Sequence, residues 1–92
     1  MSKQFNESLN TAVLTSKYVM HHGSPIVYVA HHDDGIWEFW GTEIIEEAEI
    51  MVVSLAQILQ IDPSVLDVAD MSTEFNAIRS KKGSPWSIVP KN

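Results

Sequence analysis

Two turn signals stand ten residues apart in this chain, and they limit the fold more than any other feature. His21-His22-Gly23-Ser24-Pro25 and His31-His32-Asp33-Asp34-Gly35 carry turn-forming residues, the second ending in an Asp-Gly pair that tolerates positive φ. Between them lies only the apolar run Ile26–Ala30, too short for an ordinary helix but long enough for a strand. Ile36–Trp40 then alternates, with Trp37 and Phe39 on one face and Glu38 and Trp40 on the other. Upstream, residues 11–20 are rich in β-branched and aromatic side chains, and Ala12, Leu14, Ser16, Tyr18 and Met20 share one side of a period of two. The simplest arrangement is a meander of three antiparallel strands.

Residues 41–47 hold Glu43, Glu46 and Glu47 and read as a connection, followed by a fourth strand over 48–53. Ser54 and Gln57 form a capping-box pair opening a short helix to about Gln60. Asp62-Pro63 opens a second, because aspartate caps well and proline at the first helical position loses no bonded donor. Leu55, Ile58 and Leu59, with Val65, Leu66 and Ala69, supply apolar stripes able to cover one sheet face. Phe75, Ala77 and Arg79 alternate as a fifth strand, and residues 86–89 form an apolar segment that packs. The expected fold is α+β: an antiparallel meander sheet of about four to five strands with two short helices on one face. Residues 1–10 read as a frayed lead-in and residues 11–92 as one domain.

The net charge of −6 opposes the counterion-releasing contacts of nucleic-acid binding. No cysteine is present, so disulfides, thiolate metal ligation and a cysteine nucleophile are ruled out. The polar first ten residues and the lack of an apolar run near 20 residues point to neither secretion nor membrane insertion, and a reducing cytoplasm is the expected location.

His31, His32 and Asp33 are the one candidate metal set, since imidazole and carboxylate suit zinc or nickel. His21 and His22 cannot join them: nine steps separate His22 from His31, about 20 to 30 Å at ~3.3 Å per residue. Consecutive side chains also point apart on extended backbone, so no metal or other cofactor is expected. Serines and histidines are plentiful, but no nucleophile elbow or carboxylate pair is recognisable, and a non-enzymatic role is expected. Trp37 reads as core; Trp40 and Trp86 are candidate partner anchors.

Asp34-Gly35-Ile36-Trp37-Glu38-Phe39 with Gly41 and Glu43, then Val53-Ser54-Leu55, Ile58, Asp62-Pro63-Ser64 and Leu66, then Ala77, Arg79 and Pro85-Trp86, resemble a small bacterial family of unknown function. That family is grouped with immunity proteins of polymorphic toxin systems. The resemblance spans about residues 11–90 and implies an α+β domain that binds and neutralises a cognate toxin. Trp40, Glu43, Arg79 and Trp86 are the candidate partner-binding residues, with the acidic surface suited to steering a basic protein. Two rivals are a small-molecule or metal-binding accessory domain using the histidine turns, and a domain that forms a homodimer through an open sheet edge.

Overall fold

The computed structural model describes residues 3–91, so the first two residues of the expected lead-in and the last residue of the chain lie outside it. Strand β1 (Ala12–Ser16) runs into helix α1 (Lys17–His21), followed by β2 (Tyr28–His31) and β3 (Trp37–Trp40). A 3-10 turn at Glu47–Glu49 leads to β4 (Ile50–Ser54), helix α2 (Leu55–Ile61) and a 3-10 helix (Pro63–Val68). Strands β5 (Phe75–Ile78) and β6 (Ser87–Pro90) complete one sheet of order β4-β1-β3-β2-β5-β6.

Two parts of the expected meander are corrected. The strand over residues 11–20 stops at Ser16, whose hydroxyl accepts the Val19 N–H at 3.2 Å and caps α1. Gly23, at φ 71, then turns the chain so that the Ser24 N–H reaches the Tyr18 carbonyl at 3.0 Å. Because this helix carries the chain out of the sheet plane, β1 returns beside β3, and that pair is parallel with Leu14 opposite Glu38. The β2–β3 hairpin is antiparallel as expected, closed by Gly35 at φ 90 and by the Asp34 carboxylate accepting the Ile36 N–H at 3.1 Å. The sheet is therefore mixed and six-stranded, its last strand formed by the apolar tail.

Both cap readings hold. Ser54 and Gln57 make a reciprocal capping box on α2, and the Asp62 carboxylate accepts the Ser64 N–H at 3.0 Å at the start of the Pro63–Val68 helix. Leu55, Ile58, Val65 and Val68 from these helices pack on Val13, Val29, Trp37, Phe39 and Ala77 of the sheet, with Val19 of α1 joining them. The lead-in packs as well. Phe5 stands edge-on to Trp37 at 4.9 Å and to Phe39 at 6.3 Å, and Leu9 accepts the Ala56 N–H.

Candidate binding surface

Alternation along the paired strands sorts the side chains into two faces. Val53, Val13 and Trp37, with Met51, Thr15, Phe39, Val29 and Ala77, lie under the helices. The other face carries Val52, Leu14 and Glu38 in one row and Ile50, Trp40, Tyr28 and Ile78 in the next. No helix among the described residues covers this second face. Val52 is 67% exposed, while Ile36, Ile50 and Ile78 are each 40% exposed.

Glu38 is the polar centre of that open face. One carboxylate oxygen accepts the Trp40 indole N–H at 2.9 Å, and the other lies 3.0 Å from His32 Nε2. Trp40 is thereby held half-buried against the sheet, with the orientation expected from alternation. A shallow depression of about 580 Å³ adjoins it, lined by Leu14, His32, Asp33, Asp34, Ile36 and Glu38.

The segment after Trp40 is braced at both ends. The Ser24 hydroxyl donates to the Glu43 carboxylate at 3.0 Å, and Gly41 makes that closeness possible. A Cβ at position 41 would lie 2.3 Å from Ser24 Oγ and 2.7 Å from Glu43 Oε1. At the far end the Glu49 carboxylate accepts the Glu46 N–H at 3.0 Å and the Tyr18 hydroxyl, with Lys17 at 3.7 Å. The hydrogen bond to Glu49 raises the Tyr18 pKa above the usual phenol range, and the same bond lowers that of Glu49. Glu43 and Glu49 therefore hold structure.

Arg79 takes a different place from the one expected of a partner-binding residue. Its side chain is 1% exposed and pairs with Asp62, itself 3% exposed, at 2.6 Å. Its remaining donors reach the Ser64 hydroxyl and the Ile26 carbonyl, each at 2.9 Å, and the Trp86 ring lies over the guanidinium at 4.0 Å. The expectation for Arg79 is corrected because each of its three guanidinium nitrogens is bonded inside the fold. Trp86 is half-buried against it, which leaves Trp40 and Glu43 as the two candidates at the open face and its adjoining loop. Burial alone would raise the Asp62 pKa, but the hydrogen bonds from Ser64 and Arg79 outweigh it and hold the carboxyl below its usual range.

The histidines divide as their spacing indicates. His21 and His22 end α1, whereas His31 and His32 sit at the β2–β3 turn. His31 stacks on Trp37 at 3.8 Å and its Nδ1 faces the Met71 carbonyl at 2.9 Å, on the opposite side of the sheet from His32. Among the described residues no three histidine or acidic side chains are grouped to hold a metal ion.

The sequence reading passed over Glu38, Glu49 and Ser24. Glu38 was legible in principle, since alternation sets it beside Trp40; the Ser24–Glu43 and Tyr18–Glu49 contacts join segments with no shared pattern. No protein-family model, curated protein or solved structure matches this chain.

Proposed function

We propose that this chain is a non-enzymatic protein-binding domain of the immunity type, which occludes a partner by covering it with the open sheet face. The observation that carries this reading is one sheet with helices on one face and, on the other, a half-buried Trp40 among exposed Val52, Ile50, Ile36 and Ile78. Apolar side chains gathered on one surface mark contact sites, and tryptophan is enriched where interface energy concentrates. The net charge of −6 favours a basic partner through faster encounter. The motifs that resemble those of the immunity-associated family point the same way, and a cognate toxin is the partner that resemblance implies.

The test is co-expression of the chain with the toxin encoded beside it in its native host, scored by growth and by co-purification. Wild type is expected to relieve toxicity and to retain the toxin, and Val52→Glu with Trp40→Ala to lose both. Unrelieved toxicity with no protein retained would end this reading.

A further inference from the structure

The loop between β3 and β4 holds Ile44 almost wholly in water, at 96% exposure. An isolated exposed apolar residue is ordinary on a floppy segment, but this segment is braced on both sides. Gly41, Ser24 and Glu43 lock its start, and Glu46, Glu49 and Tyr18 lock its end. A fixed loop that keeps isoleucine in solvent has already lost the conformational freedom that binding would otherwise remove. The loop also leaves from Trp40 and returns at Ile50, which lie in one row of the open face, so Ile44 sits on the segment that joins two members of that row.

The charge around Ile44 narrows the partner. Residues 41–50 contain Glu43, Glu46, Glu47 and Glu49 and no lysine or arginine. The one cation recorded against them is Lys17, at 3.7 Å from Glu49. A second copy would bring two such acidic loops together, and like charges in contact are costly. We propose that this loop is the anchor of the interface: Ile44 enters an apolar pocket on a different protein whose rim is rich in lysine or arginine. The proposal rests on the protein-binding reading and deepens it.

Photo-crosslinking in the native host tests it. Benzoylphenylalanine is placed in separate variants at Ile44, at Trp40 and, as a control on the helix side of edge strand β6, at Ile88. The expected result is an adduct from position 44 and none from 88, with the attached segment, read by mass spectrometry, carrying lysine or arginine beside apolar residues. Adding Glu46→Lys and Glu47→Lys to the position-44 variant should cut the adduct by about tenfold or more. An adduct at 40 but not at 44 overturns the anchor while sparing the protein-binding reading. No adduct at 40 or 44 overturns both. An adduct with a second copy of this chain, or one indifferent to the charge reversal, overturns the basic-rimmed partner.

Discussion

Arg79 and Asp62 illustrate why a polar residue's chemistry does not reveal its place. Removing one member of a buried pair leaves the other charge uncompensated, which costs about 3 to 5 kcal/mol. Arg79→Ala is therefore expected to lower the urea midpoint by that much stability, and Asp62→Leu with Arg79→Met to lose less than Arg79→Ala alone. The pH dependence follows from the lowered Asp62 pKa. Its contribution is complete above the unfolded value near about pH 4 and is lost as pH falls through the lower folded value. Urea midpoints measured from pH 5 down to pH 2 should fall more steeply for wild type than for Asp62→Asn. Gly41→Ala forces a Cβ into Ser24 and Glu43, so we expect a loss of about 1 to 3 kcal/mol and a changed environment at Tyr18, read by its fluorescence.

The two outer strands, β4 and β6, have some of their outward backbone donors already engaged. The Leu55 N–H bonds Thr11, so Met51 and Val53 also face β1, and Ile50, Val52 and Ser54 turn their backbone groups outward. Of these, the Ile50 N–H is taken by Glu47 and the Ser54 N–H by the Gln57 side chain, which leaves Val52 as the free donor. On β6 the Lys91 N–H bonds Glu74, which turns Ile88 and Pro90 outward, and Pro90 has no N–H to offer. The capping box thus guards a strand edge as well as starting a helix. Ser54→Ala should cost about 1 kcal/mol in urea unfolding. Gln57→Ala, which frees the Ser54 N–H, should raise self-association in concentration-dependent light scattering.

The radius of gyration, 12.1 Å, matches the about 12 Å of a single domain this long, and no helix among the described residues is long and apolar enough to cross a membrane. The amino-terminal segment belongs to that domain. Phe5→Ala should destabilise it by about 2 to 3 kcal/mol and shift tryptophan emission, because Trp37 loses its edge-on neighbour. By contrast, Val52→Lys on the open face should change stability by less than about 0.5 kcal/mol, so any loss of binding it causes is a loss of contact.

Local chemistry made much of the molecule readable from its residues. Short-range rules place the Asp-Gly hairpin, both helix caps, the split between the histidine pairs and the opposite facing of Trp37 and Trp40, since each depends on neighbours within a few positions. The parallel β1–β3 pair, the docking of Phe5, the burial of Arg79 against Ser64 and Asp62 and the bracing of the Ile44 loop join segments between 15 and more than 30 residues apart. Contacts at that separation leave no periodicity in the chain. They arise only when packing chooses which apolar face to cover, and that choice put Trp40 and Ile44 at the surface and Arg79 inside.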